Sequence, residues 1–431
     1  MNVLILGSGG REHAFAWKIR QSPLCTNLYV AQGNAGTAQI AENVPISPLD
    51  FASIAQFCQN KAIDLLVVGN EDPLVAGIRD FLQQQKGLEN LLMIAPSQKG
   101  AMLEGSKDFA KQFMFENQIP TAAYQTFSAK QLSEAIQYVF NQPLPIVLKA
   151  DGLAAGKGVV ICQTYKEAET TLREMLVNLK FGKASQKVVV EQFLEGIELS
   201  VFVLTDGNTY RLLPEAKDYK RIGENDTGLN TGGMGAVSPV PFADRAFMEK
   251  VKSRIIVPTL NGLQKRGIEY IGFIFIGLMK VGNEPYVIEY NCRMGDPETQ
   301  VVFPRLQSDL LQLLIATAKK ELDKEIVQIT PKTATTVVLA SGGYPEKYEI
   351  DKEINNLPAQ QDDLIVFQAG TTQKNGKLFT NGGRVLAITA LADTLQEALK
   401  KSLREAQNIS FEKKYYRKDI GKDLMSVSNY Q

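Results

Sequence analysis

The chain has one histidine, His13, among 431 residues. A histidine-rich metal centre is thereby excluded, and a Ser-His-Asp hydrolase would have to be built on that one side chain. The four cysteines, Cys25, Cys58, Cys162 and Cys292, form no C-x-x-C pair. Neither a zinc ribbon nor a disulfide framework is encoded, and a reducing compartment is expected. Cys292 reads as packing. Net charge is also missing: 47 Lys plus Arg balance 47 Asp plus Glu, so no overall field favours nucleic acid or an anionic membrane. No apolar run approaches the ~20 residues of a membrane span, and the one at the amino terminus is too short for a signal peptide. A cytoplasmic protein with small-molecule partners, binding neither nucleic acid nor membrane, is expected, and a monomer.

The composition is that of a soluble globular protein large enough for roughly two to four domains. The first hundred residues alternate apolar strands (3–6, 28–31, 65–68 and 91–95) with helical patterns, which predicts a parallel, doubly wound sheet. Those strands feed three loops, Gly7-Ser-Gly9-Gly10, Gln32-Gly-Asn34-Ala35-Gly36 and Gly69-Asn-Glu71-Asp-Pro73, at the end where such sheets bind ligands. A helix follows over 106–117. Next come a small α+β unit (strands 146–150, 159–162 and 187–192, helix 166–179) and a larger one (strand 198–205, a long polar loop, helix 245–266, hairpin 271–291). The rest reads as an α+β lobe with strands 335–340, 364–369 and 384–391 and helix 395–406. The expected fold is α/β and α+β multidomain, divided at 1–105, 106–329 (small unit 123–194, central unit 195–329) and 330–431.

The segment Glu289-Tyr-Asn-Cys-Arg-Met-Gly-Asp-Pro-Glu-Thr-Gln300 carries more charge than a strand end needs. Alternation along the preceding strand puts Val287, Glu289 and Asn291 on one face and Tyr286, Ile288 and Tyr290 on the other. Glu289 and Asn291 then point the same way, roughly 7 Å apart. Two such oxygen ligands, completed by water and phosphate, suit Mg²⁺. Arg293 adds a fixed fork for phosphate or carboxylate. An isolated E-x-N triplet is more often a solvated strand face; Arg293, Asp296 and Glu298 weigh against that reading here.

Other motifs point to the same chemistry. Gly7-Ser-Gly9-Gly10-Arg11-Glu12 resembles a dinucleotide fingerprint, but Glu12 stands at the third glycine position and no acidic residue ends the second strand, which argues against NAD. A glycine turn opening a helix still offers N–H groups to phosphate, and tight strand–helix packing explains the glycines equally well. Lys149-Ala-Asp-Gly-Leu-Ala-Ala-Gly156-Lys157-Gly158 is no Walker A loop, because a strand follows it. It reads as a glycine-rich hairpin carrying Lys157 over a ligand, with Lys149 beside it to neutralise phosphate oxygens. Glu191-Gln192-Phe193-Leu194 ends a strand where backbone groups can read an adenine edge, and Glu198 can accept from ribose hydroxyls. The polar stretch from Asp218 and Lys220 through Gly235 is some twenty residues without predicted structure, a length that usually marks function.

Taken in order, GSGGREH, GNAGT, VVGNEDPLVAG, LEGSK, KADGLAAGKG, NTGGMGAVSP, EYNCRMGDPETQ and TNGGRV resemble the ATP-grasp ligases, and within them the phosphoribosylamine–glycine ligase family, over essentially the whole chain. The resemblance implies an N-terminal pre-ATP-grasp domain, ATP-grasp domains and a C-terminal lobe. It implies ligation of glycine to 5-phosphoribosylamine with conversion of ATP to ADP and phosphate. Lys107, Lys149, Gly156, Lys157 and Gly158 would then contact ATP phosphates, and Glu191, Gln192, Phe193, Leu194 and Glu198 would hold adenosine. Glu289 and Asn291 would bind Mg²⁺ or Mn²⁺, and Arg293 would stabilise the transferring phosphoryl. Gly9, Gly10, Asn34, Ala35, Gly36, Glu71, Pro73 and Leu74 would hold the ribosyl phosphate, with Asp218, Lys220, Pro297 and Glu298 nearer glycine and the amine. Two departures from the family pattern are Lys217-Asp-Tyr219-Lys-Arg in place of Gln-Asp-His-Lys-Arg, and Gln368 where histidine is common.

Overall fold

The computed structural model describes residues 1–154 and 158–427, with the side chains of 426 and 427 outside that description. At the N-terminus five parallel strands line up in the order Glu42–Val44, Asn27–Gln32, Asn2–Gly7, Leu65–Val68, Leu92–Ile94. Four are the predicted strands. The fifth, Glu42–Val44, escapes a hydrophobic-pattern reading because it has three residues and two of them are polar.

The segment after this sheet begins with helix Lys107–Glu116, capped by Ser106, whose hydroxyl accepts the N–H of Phe109 at 3.1 Å. The small unit is an antiparallel sheet ordered Tyr124–Ser128, Lys187–Gln192, Ile146–Ala150, Val159–Cys162. Helices Leu132–Phe140 and Tyr165–Leu176 pack on it around a separate apolar core containing Phe127, Leu148, Leu172 and Val190. The second helix stops before the predicted 179, and Leu179 has φ +48°, which no right-handed helix accommodates.

The central sheet is antiparallel, ordered Tyr210–Leu212, Ile197–Thr205, Gly272–Val281, Glu284–Asn291. Helices Arg245–Val251 and Val257–Lys265 flank a wide π-type turn at Lys252–Ile256, next to Pro258, which has no N–H to donate. The polar stretch expected to lack secondary structure instead carries short strands. Lys217–Asp218 and Gly235–Ser238 join the C-terminal strands Thr333–Ala340, Arg384–Ala392 and Leu364–Gln368 in one sheet, and Arg221–Gly223 pairs with Thr227–Asn230. These strands are two to four residues long, too short for a period-2 signal. Among the described residues, no helix is long and apolar enough to cross a membrane.

Candidate functional site

The outgoing strand of the central hairpin is where the site begins. Gly277 pairs with Glu289 and Leu278 with Val287, which leaves Ile288 as an extra residue in a β-bulge. The bulge corrects the predicted faces. Val287 joins the same core as Tyr290 and Cys292, while Glu289 and Asn291 still share a side, now opposite that core. It also turns the Ile288 carbonyl towards Lys149, whose Nζ donates to it at 3.2 Å. Gly277 leaves space for the glutamate, because a Cβ there would stand 3.1 Å from Glu289 Cγ.

Glu289 is held by charge at a distance. No hydrogen bond or ion pair ties its carboxylate to another described side chain. Burial pushes its pKa up, but Lys220, Lys149, Lys107 and Arg293 outweigh that and keep it below the ordinary glutamate value. An ionised carboxylate with no direct partner among the described residues, beside the Asn291 amide, fits a divalent ion that takes one or two protein ligands. Groups of three or more acidic, histidine or cysteine ligands are absent among the described residues, so the ligand pair and substrate oxygens would have to suffice.

Arg293, in contrast, has several direct partners. Its guanidinium donates to Glu71 Oε2 at 3.1 Å, to Asn291 Oδ1 at 3.2 Å and to the Met294 carbonyl at 3.3 Å, and it lies 2.8 Å from Glu104 Oε1. Burial alone would lower its pKa, but Glu104 and Glu71 raise it overall. Glu71, which opens the helix Glu71–Val75, is held down at about 2, because Arg293 and Arg11 overcome its burial. Pro73 and Leu74 follow in the same helix and are buried, Leu74 within the main core.

On the small-unit side, Lys149 and Lys111 share one oxygen of Glu191, at 2.9 and 3.2 Å. The other oxygen, Oε1, is buried without a hydrogen-bond partner among the described residues. Lys111 also donates to Thr121 Oγ1 at 2.8 Å, and burial lowers its pKa to about 8. Lys107, one helical turn earlier, donates to the Gly152 carbonyl at 3.1 Å, and burial lowers its pKa too. Gln192, Phe193 and Leu194 run out of the strand beside them, with Phe193 and Leu194 half-buried. Gly158 is buried, and its carbonyl accepts from Ala150 N at 2.8 Å. Gly156 and Lys157 lie outside the described residues.

A third group surrounds Lys220, whose Nζ donates to Glu198 Oε2 at 2.9 Å. Asp218, Glu198 and Glu289 together outweigh its burial and raise its pKa well above the ordinary value. Burial pushes Asp218 up against the opposing pull of Lys220, with Glu198 and Glu289 adding to the rise, and burial followed by the Asp218 charge pushes Glu298 up to about 8. Pro297 is covered by Gly233, where a Cβ would meet its Cδ at 2.4 Å. Arg384, from the C-terminal sheet, donates to the Gly232 and Asp296 carbonyls at 2.6 and 2.7 Å and pairs with Asp296 Oδ2 at 3.1 Å.

The N-terminal loops line a cleft of about 370 Å³ with Ser8, Gly9, Arg11, Asn70, Asp72 and Asp296 among its walls. Two of the predicted binding groups have structural work there. Gly9 N–H is already given to Glu12 Oε2 at 2.6 Å, so the residue that breaks the dinucleotide fingerprint fills the turn. Asn34 donates to the carbonyls of Ser8, Gly9 and Gln368 and accepts from Gly36 and Thr37. Ala35 is buried, and a Cβ on Gly36 would meet His13 Cε1 at 2.3 Å, while one on Gly10 would meet Gln300 Nε2 at 2.6 Å.

Sequence reasoning passed over Glu104, Lys111, Arg11 and Arg384. Lys111 carried a signal, since it stands four residues after Lys107 on the same helical face. The departures at Lys217 and Tyr219 also find an explanation. Tyr219 Oη donates to Asp423 at 2.6 Å and Lys217 pairs with it at 2.9 Å, so both serve the C-terminal helix Lys422–Val427.

Comparison with known proteins agrees with this layout. Residues 1–104 match the N domain of phosphoribosylglycinamide synthetase, 105–299 its ATP-grasp (A) domain and 334–423 its C domain. The phosphoribosylamine–glycine ligase of Haemophilus influenzae is 46% identical over 98% of this chain and 98% of its own. A crystal structure of the same-named protein from Thermotoga maritima superposes with a TM-score of 0.83 at 34% identity, covering 97% of this chain and 100% of that one. The fold extends to the biotin carboxylase domain of Hydrogenobacter thermophilus 2-oxoglutarate carboxylase, solved with MgADP, ADP and bicarbonate (TM-score 0.71, 15% identity, 96% of this chain and 91% of that one). The chain belongs to the phosphoribosylglycinamide synthetase family across its N, ATP-grasp and C domains.

Proposed function

We propose that the protein ligates glycine to 5-phosphoribosylamine at the expense of ATP, giving glycinamide ribonucleotide, ADP and phosphate in purine biosynthesis. Its family membership supports the reaction, and the observation that carries the chemistry is the ionised Glu289 carboxylate, without a direct partner among the described residues, near Lys220, Lys149, Lys107 and Arg293. Such a cluster suits a site where phosphate oxygens and a cation meet.

The glycine carboxylate oxygen attacks the γ-phosphorus, the bond to the β-phosphate oxygen breaks, and ADP leaves. The ribosylamine nitrogen then attacks the glycyl phosphate carbonyl carbon, phosphate departs and the nitrogen loses a proton. Alignment and charge neutralisation suffice for both steps, so no protein nucleophile or histidine base is required. Lys107 and Lys149, with Gly158 and, beyond the described residues, Gly156 and Lys157, hold the phosphates. Glu191, Gln192, Phe193, Leu194 and Glu198 hold adenosine. Arg293 steadies the transferring phosphoryl, and Asp218, Lys220, Pro297 and Glu298 face glycine and the amine. Gly9, Gly10, Asn34, Ala35, Gly36, Glu71, Pro73 and Leu74 shape the ribosyl phosphate cleft. Glu289 and Asn291 would hold Mg²⁺ or Mn²⁺, which when bound neutralises phosphate charge.

The same reading divides the chain at 1–105, 106–329 and 330–431 and places a monomer in the cytoplasm. ADP release with Mg²⁺ tests it. Release is expected only when glycine is present, and the amide product only when phosphoribosylamine is present too. Equal ADP release with both substrates omitted would sink the assignment, and a different acceptor amine supporting faster product formation would redirect it to another carboxylate–amine ligation.

A further inference from the structure

Helix Gln98–Gly105 brings Glu104 against the end of the strand Glu284–Asn291, where its side chain is only 6% exposed. Its two oxygens do different things. Oε2 accepts the Cys292 backbone N–H at 2.8 Å and the Cys292 thiol at 3.1 Å. Oε1 lies 2.8 Å from Arg293 Nη2. One carboxylate therefore fixes the main chain at 292 and the guanidinium at 293.

Arg293 has a second carboxylate partner, Glu71, but Glu71 stands at the start of the helix Glu71–Val75 and is 26% exposed. Glu104 is the buried one of the two. Its removal would have a specific effect on the neighbouring ligand, because Nη2 is shared between Glu104 Oε1 and Asn291 Oδ1. Freed from Glu104, Nη2 would bear on Asn291 Oδ1 alone and compete for the oxygen that faces the cation. A carboxylate is required for both tasks, since an amide satisfying Cys292 N–H would turn its NH₂ donor towards the guanidinium.

We infer that Glu104 is a positioning residue for phosphoryl transfer, aiming Arg293 and keeping Asn291 Oδ1 available, while touching neither substrate. The inference rests on the role given to Arg293 above. Glu104→Gln is expected to lower kcat by about tenfold or more and to raise the Mg²⁺ concentration for half-maximal rate, with KM for glycine changed less than about threefold. Glu104→Asp, which keeps the charge, should recover part of the rate and serves as the readout if the glutamine variant does not fold. Because Glu104 acts through Arg293, the Glu104→Gln/Arg293→Lys double variant should be no slower than Arg293→Lys within about threefold. A folded Glu104→Gln enzyme with kcat and Mg²⁺ dependence within about twofold of the parent, or losses that multiply in the double variant, would overturn the positioning role. Full turnover in Arg293→Lys would overturn the assignment of Arg293 itself, and the positioning role with it.

Discussion

His13 Nδ1 accepts the backbone N–H of Gln368 at 2.8 Å, tying the first helix of the chain to a strand of the C-terminal sheet. The ring is fully buried and meets Phe367 edge-on with centroids 5.7 Å apart. The only histidine of the chain is thus a neutral acceptor inside a domain junction. Gly36 owes its missing side chain to the same ring.

Burial lowers the His13 pKa to about 4. The folded value lies below the ordinary 6.5, so the unfolded chain takes up the proton first as pH falls. Stability from this group is complete above pH ~6.5 and drains away towards pH ~4, with about 2 kcal/mol lost by pH ~5. Thermal unfolding followed at neutral pH and near pH 5 should show a smaller drop in midpoint for His13→Gln than for the parent. Equal drops in the two proteins would rule out this titration.

Glu289→Gln should abolish turnover and leave the fold intact. The side chain packs against Gly277 without a direct bond to any described residue, so an amide of the same shape costs the hairpin little. Circular dichroism and steady-state ADP release measure the two halves of this statement. Near-parental activity at saturating Mg²⁺ would count against a metal-binding role.

Glu191→Ala should be strongly destabilising, by about 3–5 kcal/mol, because it strands two buried ammonium groups, Lys111 and Lys149, without their shared carboxylate. Adding Lys111→Met should restore part of the loss by removing one uncompensated charge. Thermal melts of the single and double variants decide it, and additive losses would show that the lysines find other partners.

Much of the fold was legible because its main strands are apolar runs: the cores of the first parallel sheet, the hairpin and the C-terminal lobe all appear near their predicted positions. What escaped was short or set by long-range packing. Short polar strands such as Lys217–Asp218 carry neither a period nor an apolar run, and they form because a neighbouring sheet edge supplies their partners. The charged cluster at 289–300 announced itself, but Glu104 did not, since nothing in LEGSK discloses that its carboxylate reaches residues nearly two hundred positions away. Glycines were the most ambiguous signal. Gly9, Gly10 and Gly36 each answer to a nearby side chain, so their spacing alone could not separate a ligand loop from close packing.

The bulge at Ile288 makes the orientation of Glu289 and Asn291 a matter of parity. Val287 is anchored in the core, and with unbroken alternation residues 289 and 291 would be anchored there as well. One surplus residue reverses odd and even for the remainder of the strand. Deleting it would turn Tyr290 and Cys292 out of the core and bury Glu289 and Asn291, rewriting the site without changing any residue assigned to it.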